Sequence, residues 1–360
     1  MMTGRERITR ILKHQPVDRI GLYEHFWNDT CKHWQAQGHI REGESLDDHF
    51  GFDITNCWCF NSVADLDFQP VVIEETEETK LVRDGNGAVL RRHKLHDTTP
   101  EHVDFAVKER PAWEELIKPQ LLKTFDRRRI NVEKYRTARN AAAKASRFFT
   151  WGGPHVFELI HPVCGHEHML AGMALDPDWV RDMADTYANL LIAMFETLIA
   201  EEGPPDGVWF YEDLGFKERP FMSPEMYREI VQPAHAKTIA YCHSKGLPVI
   251  LHSCGFVEPL LPDLIAAGID CLQVMEIKAG MDPLRIHSNF GDRIALCGGM
   301  DARNLVANNR DAIRKELAEK IPVLKQGNGY ILHSDHSIPK TCEHETYRFF
   351  VDEGLRLGKY

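Results

Sequence analysis

At 360 residues the chain exceeds the commonest domain size, yet a (β/α)8 barrel stays one unit from ~200 to over 400 residues. Hydrophobic residues make up 43% and charged residues 27%, ordinary for a globular chain, and the net charge of -11 disfavours nucleic acid and anionic membranes, whose phosphates need clustered Lys and Arg. Met1 to Ile20 has no apolar core of a secretory signal, and the apolar stretch Asn189 to Ala200 carries Glu196 and is too short to span a bilayer, so a soluble cytoplasmic protein is expected. Nine cysteines, an odd count at irregular spacing, argue for reduced thiols rather than a disulfide framework.

No linker or fixed-period repeat divides the chain, which predicts a single domain over 1–360. Arg19 to Phe26 reads as a first strand with Glu24 and His25 at its end. The charged, alternating stretch from about Val71 to Lys118 predicts a hairpin or extension over one end of the barrel. Phe148 to Trp151 is another strand candidate before Gly152–Gly153, and Asp176–Pro177 opens a long helix to Ala200.

The second half has a clear βα rhythm. A strand over Asp206 to Tyr211 ends at Glu212–Asp213. Ser223–Pro224 opens a helix that runs to about Ser244 and stops at Gly246. Leu247 to Leu251 is a buried strand ending at His252–Ser253–Cys254–Gly255, followed by a helix from about Val257 to Ala267. The strand Asp270 to Val274 ends near Glu276, and Arg293 to Leu296 ends at Cys297–Gly298–Gly299 before a helix around Ala302 to Ile321. Gly329 to Leu332 ends at His333–Ser334–Asp335–His336. Five consecutive strands thus end on acid, His or Cys, and in a parallel barrel such ends converge on one face.

His252-x-Cys254 is the sharpest local feature. Residues two apart on a strand project the same way, so an imidazole and a thiolate can reach one metal ion of the zinc class. The bland alternative is a packed thiol and a capping histidine. A third donor must come from another strand, with Cys297, Asp335, Glu276, Glu212 and His336 as candidates. Glu212–Asp213 offers adjacent carboxylates for proton handling or for orienting a ligand, or merely a cap. Cys57-x-Cys59 lies in an apolar run and reads as core, and Cys342 as incidental. Glu158, His161 and His166 can line the pocket or sit on a surface loop. No phosphate-binding loop, dinucleotide fingerprint or serine elbow occurs.

Several segments, in order and spacing, resemble the uroporphyrinogen decarboxylase superfamily, which includes corrinoid-linked methyltransferases. They are Arg5–Glu6–Arg7 with Pro16–Val17–Asp18–Arg19, Asp176–Pro177, Met222–Ser223–Pro224 and His252–Ser253–Cys254–Gly255. Farther on come Phe290–Gly291–Asp292–Arg293–Ile294, Gly298–Gly299–Met300–Asp301, and Gly329–Tyr330–Ile331 with His336–Ser337–Ile338–Pro339. The resemblance implies a (β/α)8 barrel with an N-terminal extension, often a homodimer. True decarboxylases carry an arginine-bearing segment after the first strand. This chain has Tyr23–Glu24–His25–Phe26–Trp27–Asn28 there, which ill suits a polyanionic substrate.

The methyltransferase branch holds zinc by His-x-Cys and a later Cys. His252 and Cys254 match the first two positions, while Asp335 or His336 stands where the third is expected. The resemblance therefore implies a zinc-dependent methyltransferase or demethylase that exchanges a methyl group between a small molecule, or a thiol acceptor, and a corrinoid carried by a partner protein. Zinc would sit on His252 and Cys254, completed by Cys297, Asp335 or His336, with Glu212, Asp213 and His336 as the catalytic candidates. Fewer thiolates make a stronger Lewis acid, suited to a methyl ether or similar donor. The competing expectation is a metal-independent decarboxylase of a small carboxylate, with Arg41 or Arg303 near the pocket. A noncatalytic ligand carrier is the third.

Overall fold

The computed structural model describes residues 2–95 and 99–360. Strand β1 (Gly21–Leu22) and β2 (Ile54–Cys57) come first, followed by a four-stranded antiparallel sheet of β3 (Val71–Glu75), β4 (Thr79–Arg83), β5 (Ala88–His93) and β6 (Glu101–Phe105). The chain continues through β7 (Phe148–Pro154) and β8 (Gly207–Tyr211), a short hairpin of β9 (Gly215–Phe216) and β10 (Arg219–Pro220), and then β11 (Val249–Ser253), β12 (Cys271–Val274), β13 (Ala295–Gly298) and β14 (Tyr330–Leu332).

Eight of these strands form one parallel sheet in the order β1-β14-β13-β12-β11-β8-β7-β2. Its two edges meet through Asp53, whose N–H donates to Leu22 O at 2.9 Å and whose Oδ2 accepts the Leu22 N–H at 2.9 Å. The sheet is thereby closed into a (β/α)8 barrel, as the strand–helix rhythm predicts. Val249–Ile250–Leu251 and Cys271–Leu272 are buried throughout, the pattern of strands covered on one face by the filled barrel interior and on the other by helices.

Local signals explain where the helices begin and bend. Ser223 accepts the Met226 N–H at 3.2 Å with Pro224 at the first helical position, an N-cap contribution of ~1 kcal/mol. Nine residues on, Pro233 has no N–H to give the Glu229 carbonyl. A single π turn over Tyr227–Val231 precedes it, and Arg181 Nε donates to Glu229 O instead, at 3.0 Å. The long helix runs Pro177–Glu202, with Asp176 at its start engaged by Arg110 at 2.7 Å. No helix among the described residues is long and apolar enough to cross a membrane.

The charged stretch expected to form a hairpin or extension is the β3–β6 sheet followed by the helical segment 110–121, with residues 96–98 outside the described part. Phe105 of β6 lies against Gly165 of helix Val156–Leu175, and Thr99, just before β6, borders the cavity at the C-terminal mouth of the barrel. The extension thus reaches one side of that mouth.

Candidate metal-binding and active site

Two glycines bring the ends of β8 and β11 into contact. Gly255 has φ +77°, and a Cβ there would lie 2.3 Å from the Gly215 carbonyl carbon, so only glycine permits the crossing. Around it Leu214 N–H donates to Ser253 Oγ at 3.0 Å, and Phe256 N–H to Phe216 O at 2.9 Å. The same crossing sets Asp213 over Cys254, whose N–H donates to Asp213 Oδ1 at 2.7 Å.

His252 completes the group. Its Nε2 lies 3.3 Å from Cys254 Sγ and 3.3 Å from Asp213 Oδ1, and the three ligand atoms all fall within 4.8 Å of one another. One nitrogen, one sulfur and one oxygen thus converge at the mouth as a set that can hold a metal ion.

Hydrogen bonding assigns which nitrogen of His252 faces the site, traced from a carbonyl that can only accept. His333 Nδ1–H donates to Ser334 O at 2.6 Å, so His333 Nε2 is an acceptor. It receives the His25 Nδ1–H at 2.9 Å and faces the Gln273 amide nitrogen at 3.3 Å. His25 Nε2 in turn accepts the Tyr211 hydroxyl proton at 2.6 Å, and Tyr211 Oη accepts from Asn56 Nδ2 at 2.9 Å. With its NH2 turned to His333, Gln273 presents Oε1 to His252 Nδ1, which must donate. Nε2 is left facing Cys254 and Asp213, the arrangement in which a carboxamide orients a ligating histidine.

Electrostatics make the three groups share a proton, held on His252 between Asp213 and the Cys254 thiol, which a metal ion bound there would displace. Burial lowers the His252 pKa, but Cys254 and Asp213 outweigh it and hold it well above the usual imidazole range. Burial raises Asp213, but the hydrogen bond and charge of His252 and the Cys254 N–H bring it down to about 2. Burial raises the Cys254 thiol, with His252 opposing. Burial also depresses His25 strongly and brings His333 to about 3, so both rings beneath the site are neutral.

The group opens on a cavity of about 740 Å³ whose wall includes Tyr23, His25, Trp27, Tyr211, His252, Cys254, Gln273 and His336. A smaller adjoining pocket of about 360 Å³ is bounded by Trp58, Glu158, Tyr211, Asp213 and His252. Among the described residues, neither has a lysine or arginine in its wall. Arg303 is instead paired with Asp301 at 2.6 Å, and Arg41 is exposed outside both.

Not every expected residue joins the mouth. His252, Cys254 and Asp213 come together and His336 lines the same cavity. Cys297 does not join the donor set, because β13 runs past Leu296 to Gly298 and keeps Cys297 wholly buried inside the strand. Asp335 is also withdrawn: its oxygens accept the Ile277 and Ala302 N–H groups, each at 2.8 Å, which caps two helical turns. Glu212 is wholly buried, with both oxygens taken by the Phe157 and Glu158 N–H groups at 2.8 and 2.9 Å. Glu276 accepts the Gly255 N–H at 2.7 Å and so braces the loop after Cys254.

Glu158 takes the place at the pocket expected of Glu212. It stands in the first turn of helix Val156–Leu175, not in a surface loop, and burial followed by the charges of Asp213 and Glu212 raises its pKa to about 9. Its Oε1 lies 2.8 Å from His161 Nε2, and burial lowers His161 to about 4. Gln273, Tyr211 and Asn56 gave no sequence signal, since none sits in a recognisable motif. Cys57 and Cys59 are buried, as expected of core.

A model of the uroporphyrinogen decarboxylase (URO-D) family matches residues 152–355, which include every strand from β8 to β14. The chain belongs to the uroporphyrinogen decarboxylase family. Among solved structures it is similar to a methyltransferase from Methanosarcina mazei, with a TM-score of 0.70 at 16% identity over 98% of each chain. A protein assigned as a vitamin-B12-independent methionine synthase from Listeria monocytogenes aligns with a TM-score of 0.45 at 11% identity, over 95% of this chain and 96% of that one. No curated protein matches. At 16% identity the likeness to the Methanosarcina protein is one of fold: the barrel of this uroporphyrinogen decarboxylase family member is shared with it over 98% of each chain.

Proposed function

We propose that this family member is a zinc-dependent methyltransferase that removes a methyl group from a small uncharged donor and passes it to a corrinoid held by a partner protein. The observation that carries the reading is the convergence of His252 Nε2, Cys254 Sγ and Asp213 Oδ1 within 4.8 Å at the mouth. These residues fit zinc in donor type, in the tautomer assigned to His252, and in the access that the cavity gives to a further ligand. Asp213 replaces the second thiolate expected from the resemblance, and Cys297 and Asp335 have no part in the set. Zinc bound there would supply Lewis acidity, stronger for having a single thiolate, to the atom that carries the methyl group.

The chain's own groups do the rest. A wall without arginine or lysine selects against a carboxylate substrate and speaks against the decarboxylase alternative. Tyr23, Trp27, Trp58 and Tyr211 offer apolar and aromatic surface to a neutral donor. Tyr211, oriented by Asn56 and His25, fixes one edge of the cavity. Glu158, beside Asp213 and kept in its acid form, is placed to protonate the oxygen or sulfur left behind when the methyl group departs.

The test is methyl transfer from a panel of neutral methyl ethers and thioethers to cob(I)alamin, followed by the absorbance of the methylated corrinoid. Zinc-loaded wild type is expected to turn over at least one donor. Glu158→Gln should slow transfer by ~10² to 10⁴-fold, the usual worth of a positioned acid, and keep its zinc. Release of CO2 from a carboxylate by a chain that transfers no methyl group would overturn the reading.

A further inference from the structure

Behind the mouth lies a second group of metal-type donors that the proposed reaction does not use. His155 follows β7, Glu212 follows β8, and His235 lies on helix Gln232–Ser244; all three side chains are wholly buried. Glu212 Oε1 accepts the Phe157 N–H at 2.8 Å and is also bonded by His235 Nε2. His235 Nδ1 meets the Tyr227 hydroxyl at 2.9 Å. The π turn ahead of Pro233 belongs to the same stretch of chain, so Tyr227 and His235 flank the bulge.

His155 is the unbalanced member. Thr238 Oγ1 gives its own proton to a carbonyl of the preceding turn, Ala234 O at 3.1 Å or His235 O at 2.9 Å. It must therefore accept from His155 Nε2–H, 2.6 Å away, which leaves Nδ1 as a bare lone pair. That nitrogen makes no hydrogen bond. It faces Glu212 Oε1 at 3.9 Å, and a carboxylate oxygen cannot donate to it. A buried acceptor directed at a buried acceptor is an arrangement that a cation held by both would satisfy. The ring stacks on His235 at 4.4 Å and on Phe210 at 3.9 Å, so it has little freedom to turn away.

We propose that His155 Nδ1, Glu212 Oε1 and His235 Nε2 form a second metal site, buried behind the mouth, for a divalent ion of the zinc or cobalt class. The three ligand atoms already lie within 4.8 Å of one another. Two imidazoles and one carboxylate suit a borderline transition metal, whereas calcium and magnesium require more oxygen ligands. Each ring is anchored by a hydroxyl on its far nitrogen, Thr238 for His155 and Tyr227 for His235, as ligating histidines usually are. The ion displaces the proton shared by His235 and Glu212. Its role is structural: Glu212 precedes Asp213 in the chain, so the ion fixes the end of β8 from behind. The proposal stands on its own residues and does not require the mouth to bind zinc.

A site with no exposed atom loads during folding, so the test is to refold the full chain with Co²⁺ alone, under reductant. Cobalt per chain is then measured by mass spectrometry alongside the visible spectrum. The variants are His252→Ala with Cys254→Ser for the mouth, and His155→Gln or Glu212→Gln for the buried group, each checked for folding by circular dichroism. The proposal expects about one cobalt to remain in the mouth double variant, with ligand-field bands but no thiolate charge-transfer band. The buried variants should lose about one cobalt and keep that charge-transfer band. If His155→Gln does not fold, Glu212→Gln decides alone, since it keeps the side chain's shape. A folded mouth double variant that holds no cobalt overturns this proposal and leaves the mouth reading intact. Cobalt that lacks the charge-transfer band in wild type and is lost in His155→Gln upholds this proposal and overturns the mouth reading. Folded buried variants with the full wild-type complement also overturn it.

Discussion

The two ends of the barrel handle charge in opposite ways. At the N-terminal end Asp53 accepts from Arg7 at 2.6 Å, from Arg19 at 2.7 and 3.0 Å, and from the Leu22 N–H at 2.9 Å. Arg7 also holds Asp18 at 2.8 and 3.0 Å. Each Asp53 oxygen thus has two donors, and the cluster ties the first helix to the seam between β1 and β2. At the C-terminal end His252, Cys254 and Asp213 face one another without saturating one another, above a cavity. A saturated cluster closes a fold, whereas a nitrogen, a sulfur and an oxygen turned toward one another form a set that can bind a cation. This division follows the general rule that the C-terminal face of a barrel carries the chemistry and the other face carries stability.

The comparison can be broken or sharpened by substitution. His252→Ala or Cys254→Ser should abolish methyl transfer and metal retention at the mouth while leaving the thermal midpoint near that of metal-free wild type, measured by activity and calorimetry. Arg7→Met should do the reverse. Removing one partner of a buried ion pair costs ~3–5 kcal/mol, so urea unfolding should shift strongly while the folded fraction keeps its mouth metal. Equal loss of stability from mouth and base variants would erase the distinction.

Gln273→Leu leaves the donors in place but frees His252 to turn, so competition with a chelator should show metal affinity weaker by ~10 to 100-fold. Unchanged affinity would remove Gln273 from the account. The smallest effect concerns acid. The hydrogen bond from Arg7, against the opposing effect of burial, lowers Asp18 to about 2. Its folded pKa is therefore below its unfolded one, so its stabilisation is complete above ~pH 4 and lost as pH falls through about 2. Asp18→Asn should flatten that part of the stability curve, followed by urea midpoints between pH 5 and pH 2.

Much of the fold was legible in the chain, because parallel βα units write themselves as short apolar runs with polar ends and Gly stops. β8, β11, β12, β13 and β14 all fall where that rhythm places them. β1 and β2 were harder, since strands of two and four residues carry no periodicity, and their seam depends on the distant side chain of Asp53. The site was half legible. His252-x-Cys254 stands out by local spacing alone. Asp213 was visible as an acid at a strand end, but its place over Cys254 depends on the register of β8 against β11 and on the Gly215–Gly255 crossing, which no short motif records. Cys297 and Asp335 misled for one reason: the chemistry of a residue type does not say whether it lies in a strand, caps a turn or faces the mouth. Glu158 was hidden because a helix start and a loop look alike where His155 precedes the first turn without a side-chain cap.

The central claim is that His252, Cys254 and Asp213 jointly hold zinc. Its most direct test is an anomalous difference map at the zinc edge, from crystals of the chain grown with zinc under reductant. The account predicts a peak within bonding distance of His252 Nε2, Cys254 Sγ and an Asp213 carboxylate oxygen, with Cys297 and Asp335 away from it. A well-ordered mouth with no peak, or a peak on Cys254 that excludes Asp213, would contradict it.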